Sequence, residues 1–354
     1  MKRTSRALVA GYIIVLPCVV LSSNLSETAS AIEPGESIRM TTPVSGSVLS
    51  PPEDGSNFLQ WGSSGVWDSI RKEVRFVGKR DGSNAPYRFL TYHADTDIWG
   101  IDRSSPASTG SYGHGYDHNT VGPATGEHYF RLYNSRTIKR WNGEWSSLPA
   151  MPESNSVAAT VSWVTGIGLV YSDEGVIQYF DGNSWEIIES SPPNFGYHVA
   201  SEYNEFAGIL VIGGGNSMPR GISRMGSDKA LRRGADAPFD IGSSKRGSVL
   251  VSDPTSQSLI AWSKEENSWA EYDIAGDRWN VLERSSGDGS APQIGLPNLS
   301  GSEYGRSTIG VSIDSLGVVM FIQYLGSGTT PAGVWLYRHS SDNRMPKPKP
   351  PKLD

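Results

Sequence analysis

The feature that most constrains the fold is a strand–turn pattern that recurs about every 40–60 residues and ends on a tryptophan. Tyr272–Trp279 and Trp262–Trp269 each have six residues between two aromatic side chains, and Tyr179–Trp185 and Lys139–Trp145 are shorter versions. In another unit an apolar strand runs directly into three glycines, Ile209–Gly215. A period of this length, with a strand, a glycine turn and a closing aromatic, is typical of propeller blades.

These segments resemble the kelch family, whose repeat has an apolar strand, a Gly-Gly pair, and a Tyr and a Trp six residues apart. Here the glycine pair belongs to the fourth unit and the Tyr/Trp spacing to the fifth, and the resemblance covers roughly residues 60–340. It implies a β-propeller. Kelch-like propellers serve both as binding platforms and as enzyme scaffolds, so the resemblance leaves the function open.

Composition supports an all-β chain, because 40 Gly, 22 Pro and 11 Trp occur among 354 residues and only 19% are charged. We divide residues 58–341 into six units, at 65–105, 112–150, 156–190, 195–241, 246–285 and 304–340. The sequence therefore predicts one propeller of six four-stranded blades, with seven as the alternative because residues 286–303 are hard to place. The sixth unit lacks an outer strand. We expect a strand near residues 37–43 to close the ring, which protects the sheet edges.

The two ends of the chain are predicted to lie outside the propeller. A basic start, an apolar run from Ala7 to Leu21 and the small-residue site Ala29–Ala31 predict a secretory signal peptide over residues 1–31. The apolar run is too short to span a bilayer, so we expect a secreted or periplasmic protein without membrane insertion. Residues 32–57 are a loose lead-in, and the Pro/Lys-rich residues 342–354 are predicted to be a disordered tail.

Loss of that leader removes three basic residues and one acidic residue, leaving 28 basic and 36 acidic residues and a net charge of −8, against −6 for the whole chain. An acidic surface disfavours nucleic acid as a partner. The leader also contains the only cysteine, Cys18. The kelch-like copper-radical enzymes, similar to galactose oxidase, need a Cys cross-linked to a Tyr, so this class is excluded. We expect a monomer with no cofactor.

The loops that lead into the innermost strands carry the candidate site residues, because the innermost strand of each blade lines the central channel. Polar side chains recur there in several blades and are predicted to converge on one mouth of the channel. The candidates are His114, Tyr116, Asp117, His118 and Asn119 before unit two, Tyr197 and His198 before unit four, Arg246 before unit five, and Tyr304 and Arg306 before unit six.

The segment Tyr112–Asn119 is the strongest candidate and has three interpretations. Its glycines allow close approach of a ligand and its histidines titrate near neutral pH, which suits a carbohydrate-binding or catalytic site. Alternatively, Asp117, His118 and Asn119 brace the blade junction through hydrogen bonds to the backbone. A metal held by His114 and His118 is the third interpretation, and we expect none.

Two functions follow from these residues. The first is an exported propeller that binds a carbohydrate or a protein partner at the channel mouth. The second resembles the propeller-type polysaccharide lyases, which cleave uronic-acid-containing chains by β-elimination. In that case His118 or His198 would be the base, Tyr116 or Tyr197 the acid, and Arg246 or Arg306 the partner of the carboxylate. His114, Asp117, Asn119 and Tyr304 would contact the ligand.

Overall fold

A computed structural model describes residues 24–40, 48, 59–79, 86–102, 104, 106, 114–154, 159–242, 248–283, 292–299, 308–325 and 332–340. Within these residues the chain forms six antiparallel sheets arranged as the blades of a propeller. The prediction of a six-bladed all-β propeller is therefore confirmed.

Blades 1 to 5 each consist of four consecutive strands. Blade 1 contains β2 (Val66–Asp68), β3 (Glu73–Gly78), β4 (Arg88–His93) and β5 (Ile98–Asp102). Blade 2 contains β6 (Asn119–Gly122), β7 (Glu127–Arg131), β8 (Ile138–Trp141) and β9 (Trp145–Ser147). Blade 3 contains β10 (Thr160–Val164), β11 (Gly168–Ser172), β12 (Ile177–Phe180) and β13 (Trp185–Glu189). Blade 4 contains β14 (Val199–Asn204), β15 (Ile209–Gly214), β16 (Ile222–Met225) and β17 (Leu231–Arg233). Blade 5 contains β18 (Ser248–Ser252), β19 (Ser258–Ser263), β20 (Ser268–Asp273) and β21 (Arg278–Leu282).

Blade 6 combines the two ends of the chain, as the sequence predicts. Its strands are β23 (Thr308–Ile313), β24 (Val318–Gln323), β25 (Gly333–Arg338), β1 (Glu36–Arg39) and β22 (Gln293–Ile294). β1 pairs with β25 in register Ile38 to Leu336 and closes the ring. The short β22 adds a fifth strand at the outer edge, so part of the stretch that suggested a seventh blade belongs to the sixth.

The first strand of each blade lies at the centre, because β2, β6, β10, β14, β18 and β23 contact one another in a closed circle. The core of the described residues consists of six apolar clusters, one between each pair of neighbouring blades. Each inner sheet face buries its apolar side chains against the next blade, which is why strands such as β19 and β24 are buried along their whole length.

The Tyr/Trp spacing has a simple structural origin. Tyr272 and Trp279 are cross-strand partners in the outer hairpin of blade 5, with ring centroids 4.9 Å apart. The Tyr272 hydroxyl donates to Asp277, which occupies a left-handed turn position at φ 49°. Tyr92 and Trp99 repeat this pairing at 4.5 Å in blade 1. Trp262 and Trp269 have the same spacing but pair across the preceding hairpin, so they are not an equivalent copy.

A short helix, α1 (Leu25–Ser30), packs against blade 6 ahead of β1. Leu25, Ala29 and Ile32 belong to the apolar cluster between blades 6 and 1. Arg338 of β25 donates to the carbonyl oxygens of Ala29 and Ile32, each at 2.8 Å. The last residues of the predicted leader therefore contact the propeller core, while residues 1–23 lie outside the described residues. Among the described residues no helix is long and apolar enough to cross a bilayer.

Candidate functional site

One mouth of the channel is covered by six aromatic and histidine side chains, which we call the mouth cluster: Trp61, His114, Tyr116, Tyr133, Tyr197 and His198. Most come from loops that lead into the inner strands of blades 1, 2 and 4, and Tyr133 follows β7 on the same side of the ring. Four of the predicted site residues therefore do converge, although they are separated by up to 84 residues in the sequence.

The rings of the mouth cluster form a continuous set of contacts around Tyr116. His114 lies 4.6 Å from the Tyr116 ring, His198 lies 5.5 Å from it, and Tyr133 stacks at 6.1 Å. Tyr197 contacts His198 at 4.0 Å, and Trp61 stacks on His198 at 6.4 Å. The Tyr197 hydroxyl lies 3.5 Å from those of both Tyr116 and Tyr133. Three phenol groups thus meet at one point.

Three members of this cluster have backbone angles that side chains other than glycine seldom adopt. φ is 63° at Trp61, 40° at Tyr116 and 77° at His198. A bulky residue in this region costs of order 1–3 kcal/mol, and such residues concentrate at ligand sites. The surrounding loops hold these rings in place at that cost, which marks the mouth cluster as a candidate functional site.

His118 lies next to the mouth cluster, with its ring 5.3 Å from that of Tyr116, and it is fully buried. Its Nε2 accepts from the Ala159 backbone N–H at 3.3 Å and lies 3.5 Å from Arg131 Nη1. Burial and the charge of Arg131 hold the pKa of His118 well below its usual range. The neutral ring therefore carries its proton on Nδ1, which has no acceptor among the described residues.

Arg131 provides a buried positive charge at this place. Its guanidinium donates to the Ser135 carbonyl at 3.2 Å and to the Ser154 hydroxyl at 3.0 Å, and it lies over the Tyr171 ring. Burial lowers the pKa of Arg131, while Tyr171, Asp173 and nearby tyrosines that include Tyr197 act in the opposite direction. Arg131 was not among the predicted site residues, because it ends the interior strand β7 rather than lying in a loop that leads into an innermost strand.

Two predicted ligand residues instead brace the blades. Asp117 accepts from the Ser64 hydroxyl and from the Ser201 N–H at 2.6 Å, which links blades 1, 2 and 4. Burial raises the pKa of Asp117 to about 6. Asn119 accepts from the Val77 N–H at 2.7 Å and donates to the Val77 carbonyl at 3.1 Å. The bracing interpretation therefore describes these two residues.

Three of the predicted site residues are not among the described residues. Arg246, Tyr304 and Arg306 fall outside the described residues. Within the described part of the chain, no group of three or more His, Cys, Asp or Glu side chains is arranged to hold a metal ion.

Tyr133 and Trp61 belong to the mouth cluster but were not predicted. In an antiparallel blade, the loop between the second and third strands lies at the same mouth of the channel as the loop that leads into the first strand. Tyr133 lies in such a loop, so this topology could have indicated it.

Comparison with known proteins supports the fold alone. No family model matches the chain, and no curated protein matches it. A solved structural genomics protein of unknown function from Bacteroides thetaiotaomicron has a TM-score of 0.52 at 9% identity, covering 85% of this chain and 76% of the other. A streptogramin B lyase structure gives 0.47 at 11% identity over 76% of each chain. A chain of a nidogen/laminin complex gives 0.45 at 12%, covering 67% of this chain and 85% of the other.

Proposed function

We propose that the mouth cluster is a binding site for an acidic glycan on an exported propeller. The observation that supports this most is the meeting of the Tyr116, Tyr133 and Tyr197 hydroxyls beside the buried Arg131. Hydroxyls 3.5 Å apart bond only weakly to each other, and a phenol hydroxyl can both donate and accept, so the three present a polar group to a ligand oxygen. A uronic-acid carboxylate offers such oxygens.

The charge of the site suits the same ligand. The chain as a whole is acidic, with a net charge of −6, so a negatively charged glycan needs a local positive group. Arg131 supplies that charge from within the propeller, where screening by water is weak. The aromatic faces of Trp61 and Tyr197 offer apolar surface against which a sugar ring can stack.

Catalysis by β-elimination is the second candidate, because His, Tyr and Arg side chains lie together as such a reaction requires. The protonation of His118 favours binding over this alternative. Its Nε2 lone pair already accepts hydrogen bonds and its Nδ1 carries the proton, so the ring acts as a donor rather than as a base. In a lyase the base would have to be His198 or a tyrosine.

The test is calorimetric titration with an oligogalacturonate and with a neutral galactose oligomer of equal length. We expect binding of the acidic oligomer only, and Tyr197→Phe should weaken it about fivefold, which corresponds to the loss of one hydrogen bond of roughly 1 kcal/mol. Tyr179→Phe is the matched control, because that phenol bonds to Glu186 within blade 3.

Equal affinity for the neutral oligomer, or equal behaviour of the two Phe variants, would contradict the proposal. Ultraviolet absorbance of unsaturated uronate in the same mixtures would establish a lyase instead. Absence of any glycan binding would leave a protein as the ligand of this face. Export is tested separately by locating the protein after fractionation of cells that express the whole chain.

A further inference from the structure

A second cavity lies within the channel, on the side of the ring opposite the mouth cluster. Its volume is about 180 Å³, and its walls come mainly from the inner strands β2, β6, β10 and β14. Pro123 and Glu205, which follow β6 and β14, also line it, so it is reached from the turns that leave the inner strands. At about 30 Å³ per water molecule, this volume has room for a small organic molecule.

The ionisable side chains of this channel cavity are all acidic among the described residues. Asp117, Glu202 and Glu205 line it, and none of its described lining residues is Lys, Arg or His. Glu202 accepts from the Ser252 N–H at 2.9 Å through Oε1, whereas its Oε2 has no hydrogen-bond partner among the described residues. An acidic cavity with no basic side chain among its described lining residues suits a cationic ligand.

The side chains that line the channel cavity favour an organic cation over a metal ion. Trp67, Trp163 and Tyr203 line the cavity, and aromatic faces attract ammonium groups. Trp67 is 8% exposed and its Nε1 atom is buried, so the indole contributes its ring rather than its N–H to the wall. In the described part of the chain the carboxylates do not converge as a metal site requires.

We propose that the channel cavity binds a small organic ammonium ion. The Glu202 carboxylate neutralises the ammonium group, and the aromatic walls enclose its alkyl substituents. This site is independent of the glycan site, since the two share no ligand-contacting side chain.

The protonation of Glu202 makes binding of a cation at this cavity depend on pH. Burial, together with the nearby Asp117 charge, raises the pKa of Glu202 to about 8. The charged groups that share the cavity with Glu202 are Asp117 and Glu205, both acidic. A bound cation favours the ionised carboxylate, so the ligand must displace a proton at neutral pH. Affinity should therefore rise with pH up to about 8 and then level off.

The experiment is titration of the full chain with choline, with its uncharged isostere 3,3-dimethyl-1-butanol, and with calcium chloride, followed by calorimetry and tryptophan fluorescence. We expect choline to bind and the isostere not to bind. Glu202→Gln should weaken choline binding at least about tenfold, and Glu205→Gln, at the rim, should weaken it less. Glu174→Gln removes one exposed carboxylate elsewhere and is the matched control.

Equal binding of choline and its isostere, binding of calcium without choline, or no binding at all would overturn the proposal. Thermal unfolding of each variant checks that it is folded. If Glu202→Gln does not fold, Glu205→Gln still tests the proposal. Tyr197→Phe should bind choline like the unmodified chain, so failure of the glycan proposal and failure of this one are distinguishable.

Discussion

Replacing Glu202 by Gln should make the protein more stable, and more so at alkaline than at acidic pH. The pKa of this carboxyl lies near 8 in the folded chain, against 4.5 as its ordinary value. The folded state therefore keeps a proton that the unfolded chain releases between these two pH values, and stability falls as pH rises through that window. One pKa unit corresponds to about 1.36 kcal/mol, which sets an upper limit of about 5 kcal/mol.

The carboxylate reaches a water-accessible cavity, and the resulting screening reduces this limit, so we expect a gain of about 2 kcal/mol at pH 8.5 and near zero at pH 4.5. Gln keeps the shape and the acceptor for the Ser252 N–H, so packing changes little. Urea denaturation of the two proteins at several pH values measures the difference.

Asp117 gives this experiment an internal reference. Its pKa is raised to about 6 from 3.8, so both proteins should lose stability between about pH 4 and 6, and only the unmodified chain should continue to lose it up to pH 8. Parallel pH profiles for the two proteins, or a gap that widens toward acid, would refute the reasoning. Choline at saturating concentration should reduce the loss between pH 6 and 8 in the unmodified chain only.

Two further predictions concern the fold. In the whole chain, with the predicted leader retained, Leu25→Ala should lower the free energy of unfolding by about 2–4 kcal/mol in urea titrations, because the Leu25 side chain of α1 is fully buried in the apolar cluster between blades 6 and 1; no loss would show that α1 is dispensable. Tyr92→Phe and Tyr272→Phe should each cost about 1 kcal/mol, because each removes an equivalent hydrogen bond to an Asp in the outer turn; clearly unequal losses would contradict the equivalence of the two hairpins.

The ring architecture could be predicted from the sequence because each blade repeats the same local signals. Strand residues, turn residues and the Tyr/Trp pair recur in order, and the missing outer strand of the sixth unit pointed to the N-terminus. Spacing alone did not reveal which hairpin an aromatic pair belongs to. Trp262 and Trp269 are paired between the second and third strands of blade 5, whereas Tyr272 and Trp279 are paired between the third and fourth.

The candidate sites were predicted less completely. Leading loops could be assigned to one mouth from topology, which brought Tyr116 and Tyr197 together correctly in space. Arg131 and Glu202 lie inside strands, and whether such a side chain faces a neighbouring blade or the channel depends on register and twist. A charged residue in the innermost strand of a blade, as in Val199–Asn204, is the one signal that could have indicated Glu202.

The segment from residue 114 to 119 explains how one stretch of chain serves both sides of the channel. The segment turns at Tyr116, where φ is 40° and the His118 N–H donates to the Gly115 carbonyl at 3.1 Å, so its side chains have different surroundings. The Tyr116 ring contacts the rings of His114 and His118 at the mouth cluster. Asp117 instead lines the channel cavity and binds Ser64 and Ser201. The ligand and bracing interpretations of this segment are therefore compatible, because His114 and Tyr116 belong to the mouth cluster whereas Asp117, His118 and Asn119 bond to the backbone of neighbouring blades.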